Sequence, residues 1–441
     1  MTTWHCEHAW LGGACESRVR IAADADRITS IDRGVDAEPG DVLLAGITLP
    51  GLANAHSHAF HRALRGRTHD QAGDFWAWRD AMYDIAQRLD PDSLLALARA
   101  TYAEMALSGI TAVGEFHYLH HQPDGRPYAN PNEMGATLAA AAEDAGIRLT
   151  LLDTCYLRAG FDEPLGGHQR RFGDGDALAW SERTAALADT PMLRVGAAVH
   201  SVRAVDPDSM AVVADAARAR RWRLHLHLSE QPAENEACQR ATGLTPTALA
   251  AERGVLGPAT TAVHATHVTA PDIARLASTG TSVCLCPTTE RDLGDGIGCG
   301  GAMHEAGSAL CVGTDSHAMI DVFEEARAIE LDERLLSGRR GRHAPSDLLD
   351  AATRAGHRAL GWDAGELAVG SLADFVTVDL TSPRLAGFEP ADAAAHIVFS
   401  ATAADVRTVV VGGRTVVEDG HHASLPAAGA ALRSALDLLD R

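Results

Sequence analysis

The sequence contains no lysine, so all 38 basic side chains other than histidine are arginine. That absence excludes a Walker-type phosphate loop, Schiff-base and pyridoxal chemistry, and any metal pair bridged by a modified lysine. Cysteine is scarce, with eight in 441 residues. The cysteines lack zinc-ribbon spacing, and Cys284 and Cys286 stand one residue too close for a CxxC redox motif. They read as reduced, mostly buried thiols of a cytoplasmic protein. No uninterrupted apolar run is long enough to span a bilayer. Met1 to Trp10 carry two histidines and an acid rather than the basic start and apolar core of a signal peptide. A formal net charge of −21 makes nucleic acid and anionic membranes poor partners. A small anionic substrate would have to be met by arginines gathered around its pocket.

What is present is the balance of a globular enzyme, 46% hydrophobic and 22% charged, in a chain longer than one ordinary core. Both ends read as β structure. Arg18 to Ile21, Ile28 to Ile31 and Val42 to Ile47 are extended runs, as are Phe375 to Val378 and Val406 to Val411, and Gly412-Gly413 before Arg414 marks a tight hairpin. Neither set suffices for a domain alone, and together they predict one small β-sandwich from residues 1–48 and 370–420. Between them strands alternate with helices. Helices are expected over Pro91 to Ser108 (with Asp90 as N-cap), Asn132 to Ala145, Pro207 to Arg220 and Pro271 to Ala277. Roughly eight βα units across residues 49–369 predict an α/β fold of the (β/α)8 barrel type. Residues 421–441 read as a helical tail.

The chemistry concentrates at predicted strand ends. In Asn54-Ala-His-Ser-His58 the two imidazoles share one face of a strand, because side chains alternate with period two. Alone, that spacing also fits two surface polar residues. His225 and His227 repeat it, with Glu230 three residues further on. His227 is the candidate ligand because it lies nearer the C-terminal strand end, where barrel sites are built, although the sequence leaves an exchange of roles with His225 open. His264 follows an apolar run, and its competitor His267 falls where that strand has turned. Asp315 follows another buried strand, and His317 beside it reads as a pocket wall or surface residue. Four separated strand ends thus supply His, Glu or Asp. Three imidazoles (His56, His58, His227) and the Asp315 carboxylate suit one divalent ion, Zn²⁺ first and Fe²⁺ second, with a position left for water.

These residues resemble the amidohydrolase superfamily, in its mononuclear deaminase branch. The resemblance spans nearly the whole chain, from Pro50-Gly-Leu-Ala-Asn-Ala-His-Ser-His58 to Gly370-Ser-Leu-Ala-Asp-Phe-Val376. It implies a distorted barrel with a sandwich assembled from both termini, His227 and Asp315 as metal ligands, and Glu230, His264 and Asp315 in catalysis. Within the branch, four segments resemble the formimidoylglutamate deiminases of histidine degradation. They are His58-Ala-Phe-His-Arg-Ala-Leu64, Phe75-Trp-Ala-Trp-Arg79, Glu115-Phe-His-Tyr-Leu-His-His121 and His200-Ser-Val-Arg203. That resemblance implies hydrolysis of N-formimidoyl-L-glutamate to N-formyl-L-glutamate and ammonia by a homodimer, with substrate contacts at His61, Arg79, Tyr118, His200 and Arg203. The family usually carries Gln at the position of His61; neutral His likewise donates and accepts a hydrogen bond. The alternative within the branch is a deaminase of purine or triazine rings, which needs a slot for a flat heterocycle. Physically, Trp76, Trp78 and Arg79 also fit a helix–helix contact and Tyr118 a core position, whereas Arg203 directly follows a strand end, as pocket residues do.

Overall fold

Eight short strands form a parallel sheet in sequence order. They are Leu52–Ser57, Ile110–His117, Arg148–Cys155, Leu193–Val199, Leu224–Leu228, Thr260–His264, Ser282–Leu285 and Leu310–Val312. The computed structural model describes residues 1–68 and 75–440; the side chains of Phe75, Trp76 and Ala77, part of the segment ending at Arg79, lie outside the described residues. Most of these strands are buried along their whole length, as expected when helices cover the outer face and side chains fill the interior. The eighth strand returns to the first through the parallel bridge Ser57–Asp315, where Asp315 N donates to His56 O at 3.0 Å and His58 N donates to Asp315 O at 3.2 Å. The barrel therefore closes through the backbone of the candidate site. Gly313 makes that approach possible, since a Cβ there would stand 2.7 Å from the Cβ of His56.

Several of the covering helices start where a short polar side chain satisfies one of their first amides. Asp90 accepts from Ser93 N and Ser93 answers the Asp90 backbone, opening the helix Pro91–Leu107. Asp206 likewise accepts from Ser209 N at the start of Pro207–Arg220, whose bounds match the sequence pattern. Among the described residues, no helix is long and apolar enough to cross a membrane.

The two chain ends build a second eight-stranded sheet. Its order runs from His421–His422 through Arg414–Glu418, Val406–Val411, Phe375–Val378, Val42–Pro50, Thr2–Leu11 and Ala14–Asp24 to Arg27–Arg33. This sheet is continuous but bends back on itself: Ile28 N donates to Ser371 O at 3.0 Å, and Gly370 N to Ile28 O at 2.8 Å. Inside the bend lies a small core of Trp4, Ile21, Ile28, Phe375 and Val410, with Trp4 edge-on to Phe375 at 5.1 Å. The Gly412-Gly413 hairpin joins two antiparallel strands with both glycines at positive φ. Thr2–Leu11 is absent from the sequence-based expectation because a bulge between Cys6 and His8 shifts its alternation, burying Trp4 and Cys6 and then Ala9 and Leu11. Buried Arg148, on the third barrel strand, pairs with buried Asp374 of the terminal segment through contacts of 2.6 and 3.1 Å. The tail enters the terminal sheet at His421–His422 and becomes helical at Ala428–Leu439.

Candidate active site

The first, fifth and eighth barrel strands end on one point. His56, His58, His227 and Asp315 each place a ligand atom within 4.8 Å of the others, and all four are buried. His227 Nε2 lies 3.1 Å from His56 Nε2, and Asp315 Oδ1 lies 3.2 and 3.3 Å from the Nε2 atoms of His56 and His58. Those separations match the edges of a coordination polyhedron with ligands about 2.1 Å from its centre, where a tetrahedral edge is about 3.4 Å. The outer ring nitrogens set the tautomers: His58 Nδ1 donates to Phe116 O at 2.9 Å and His227 Nδ1 to His200 O at 2.9 Å. Each Nε2 therefore offers a lone pair to the centre. Burial lowers the pKa of His56, His58 and His227, which keeps them neutral as ligation requires. Burial alone would raise the Asp315 carboxyl, but its hydrogen-bond contact with His56 and the charge of His264 outweigh it and hold it well below its ordinary value. The donor set fits a divalent ion, and the Ser57–Asp315 bridge holds the donors in register.

The other strand-end residues stand around this point. His264 directs Nε2 to within 3.8 Å of both Glu230 Oε1 and Asp315 Oδ2, and Nδ1 lies 3.3 Å from Glu290 Oε1. Burial disfavours its cation, yet the carboxylates of Glu230, Glu290 and Asp315 prevail and lift its pKa to about 10. Glu230 is raised above its ordinary value, mainly by burial. His264 and Ala265 adopt positive φ, so the strand does turn there, and His267 is bonded instead to Asp295 O at 2.7 Å. His225 lies inside the barrel with Nε2 3.2 Å from Ala359 O, away from the ligand point. His317 departs from the sequence-based expectation. It is neither pocket wall nor surface but wholly buried, bonded to Thr314 Oγ1 at 2.9 Å and Ser57 Oγ at 3.2 Å, because the chain turns inward after Asp315 at positive φ.

A cavity of about 170 Å³ opens beside the donors, and His61, Arg79, Tyr118, His200 and Arg203 all line it. His61 Nε2 is 2.9 Å from the Tyr118 hydroxyl, which joins these two lining residues by a hydrogen bond. Arg203 Nη1 donates to Ala159 O at 2.7 Å. Burial opposes its charge, but Tyr156, Glu234 and Tyr83 more than compensate. A second His–His–Asp group, His117, His120 and Asp153, lies outside this cavity. There both Asp153 oxygens are already engaged by Arg183, at 2.8 and 2.9 Å, and one also by Trp180 at 2.9 Å.

With this geometry in view, comparison with known proteins decides the family. The model of the amidohydrolase family matches residues 47–416. The chain belongs to the amidohydrolase family. Formimidoylglutamate deiminase of Pseudomonas aeruginosa is 38% identical to it over 437 residues, covering 96% of each chain. A 5-methylthioadenosine/S-adenosylhomocysteine deaminase of Natronomonas pharaonis is 30% identical, covering 92% of this chain and 93% of its own. The crystal structure of an amidohydrolase from Brucella melitensis superposes with a TM-score of 0.91 at 32% identity over the whole of both chains.

Several residues of this amidohydrolase site escaped the sequence reading. Glu115 accepts from Ala59 N at 2.7 Å and Ser57 Oγ at 2.9 Å, holding the turn that follows the HxH pair, and burial pushes its carboxyl to about 7. Glu290 braces His264 from a separate helix, Pro287–Leu293, a contact that no local spacing reveals. Tyr83, Tyr156 and Glu234 line the cavity as well. Tyr156 could have been found by the rule that selected Arg203, since it directly follows the third barrel strand. Glu234 stands on the helix Pro232–Thr242, four residues after Glu230, a spacing equally common on solvated helices.

Proposed function

We propose that this amidohydrolase hydrolyses N-formimidoyl-L-glutamate to N-formyl-L-glutamate and ammonia, a reaction of histidine degradation. The observation that carries the reading is the pairing of one donor quartet with a cavity walled by Arg79 and Arg203. A chain at −21 repels a dicarboxylate at long range, so short-range arginine pairing is what such a substrate requires. The similarity to the Pseudomonas aeruginosa enzyme points the same way.

His56, His58, His227 and Asp315 would hold the ion, for which zinc is the first candidate and ferrous iron the second. When bound, such an ion lowers the pKa of water from 15.7 to roughly 7 and polarises the carbon to be attacked. Glu230 stands beside the donors with a carboxyl raised by burial, which suits it to take the water proton and pass it to the departing nitrogen. Water oxygen adds to the formimidoyl carbon, the C–N bond to the imino nitrogen breaks, and that nitrogen leaves as ammonia. His264, held by Glu290, faces the same centre and stabilises charge as it shifts from nitrogen to oxygen. Arg79 and Arg203 pair with the two carboxylates, and His61, Tyr118 and His200 bind the polar atoms between.

The test is ammonia release by zinc-loaded enzyme from N-formimidoyl-L-glutamate, guanine and adenosine in parallel. Turnover of the first alone is expected. A comparable kcat/KM on either purine would replace the dicarboxylate reading with that of a ring deaminase.

A further inference from the structure

Gln169 lies on the loop between the third and fourth barrel strands and is 7% exposed. Its amide orientation follows from a backbone group. Gly166 N–H stands 3.0 Å from Oε1 and can only donate, so that atom must be the carbonyl oxygen. The amide nitrogen then points to two residues of the cavity wall, 3.0 Å from the hydroxyl oxygens of both Tyr83 and Tyr156. An amide –NH₂ donates and never accepts, so both phenolic oxygens are acceptors here. Each phenol keeps its own proton, which Tyr83 can give to the neighbouring Tyr156 or to another partner.

The surroundings specify that partner. Tyr83 and Tyr156 line the same cavity as Arg79 and Arg203. The Arg79 guanidinium carbon lies 5.6 Å from the centre of the Tyr83 ring, and Tyr156 lies beside Arg203. Two hydroxyl protons among two guanidinium groups form a seat for an anion with several acceptor lone pairs. The loop is held from behind. Buried Arg171 donates to Leu89 O at 3.0 Å and His121 O at 3.2 Å, and Gln87 Nε2 donates to His168 O at 2.9 Å. Three of the chain's five tyrosines, Tyr83, Tyr118 and Tyr156, face this one cavity.

We propose that Tyr83 and Tyr156 donate their hydroxyl protons to a carboxylate of the bound substrate, and that Gln169 is the positioning residue that turns both protons toward it. The inference rests on the dicarboxylate reading above and deepens it: the arginines bring charge, and the phenols bring direction. Gln169→Glu is the decisive variant, because its shape is retained while its hydrogen-bonding sense is reversed. A glutamate at 169 still accepts from Gly166 N–H but offers the phenols only lone pairs. Their protons turn to it, and the substrate carboxylate meets phenolic oxygen instead.

The experiment pairs calorimetric titration with N-formyl-L-glutamate and ammonia-release kinetics on N-formimidoyl-L-glutamate. It compares the zinc enzyme with its Q169E, Y83F and Y156F variants, each checked by thermal melting. The expected result is weaker binding and higher KM, by about tenfold for each phenylalanine variant and about a hundredfold for Q169E, with kcat within about threefold. If Q169E does not fold, the two phenylalanine variants decide the matter, since they keep the rings. Variants that bind and turn over like wild type would overturn the subsite. Wild type that binds the dicarboxylate through this subsite but releases no ammonia would leave the subsite standing and sink the proposed reaction. Wild type that does not bind the dicarboxylate at all would overturn both.

Discussion

Glu230 lies 3.8 Å from His264 and is not one of the four donors, so its loss separates proton transfer from metal binding. Glu230→Gln keeps the shape and removes the base. The expected outcome is full metal content with kcat reduced about 10²–10⁴-fold, measured by elemental analysis and steady-state kinetics. Loss of the metal would make Glu230 a ligand, and near-normal turnover would assign the proton to another group. Arg203 tests the substrate at the same scale. Truncating one partner of a desolvated charge pair costs about 2–5 kcal/mol, because the other charge is left unpaired. Arg203→Met should therefore lower kcat/KM for N-formimidoyl-L-glutamate about thirtyfold or more, and far more than for an uncharged formamidine, at unchanged metal content. Equal losses on both substrates would mean that Arg203 supports the metal centre or the fold.

At the scale of the element, the site depends on the eighth strand meeting the first. A Cβ at position 313 would stand 2.7 Å from the Cβ of His56 and 2.8 Å from its backbone N and O, distances that force the strands apart. Gly313→Ala should lower the melting temperature and the bound metal together. Gly257→Ala, where a Cβ meets nothing within 4 Å, should change neither. A Gly313→Ala enzyme with full metal content would show that the seam has slack that this geometry denies. Elements with a local cause were readable in advance: Pro207–Arg220 begins at a proline behind a capping aspartate, and the paired histidines alternate as strand residues must. Thr2–Leu11 was not, because a bulge displaced half of its apolar pattern.

For the whole molecule, the donors come from the first and fifth strands and from the residues after the eighth, so an ion there cross-links distant parts of the barrel. A ligand present at 1,000 times its Kd stabilises the native state by about 4 kcal/mol. Chelation should abolish activity and lower the melting temperature while the far-ultraviolet circular dichroism persists. The backbone bonds between Asp315 and the His56–His58 segment and the apolar core do not need the ion. Reloading should restore activity at one equivalent per chain, and a requirement for two would overturn the mononuclear site.

By itself the sequence determined the fold class and the donor residues that meet at the centre, because both are written in short-range patterns. Period-two histidines, capped helices and acids just past buried strands each follow from geometry within a few residues, and the absence of lysine left arginine to bind any anion. Tertiary structure decided what depends on residues far apart in the chain. The strand end favoured His227 over His225 but left an exchange of roles open until the fifth strand was placed against its neighbours, where one reaches Ala359 O and the other the donor point. Glu290 behind His264, Gln169 between two tyrosines, and Asp374 against Arg148 are partners that no local pattern announces. Hydrogen bonds and ion pairs act over about 3 Å of space without regard to sequence separation, so the barrel has to close before they exist.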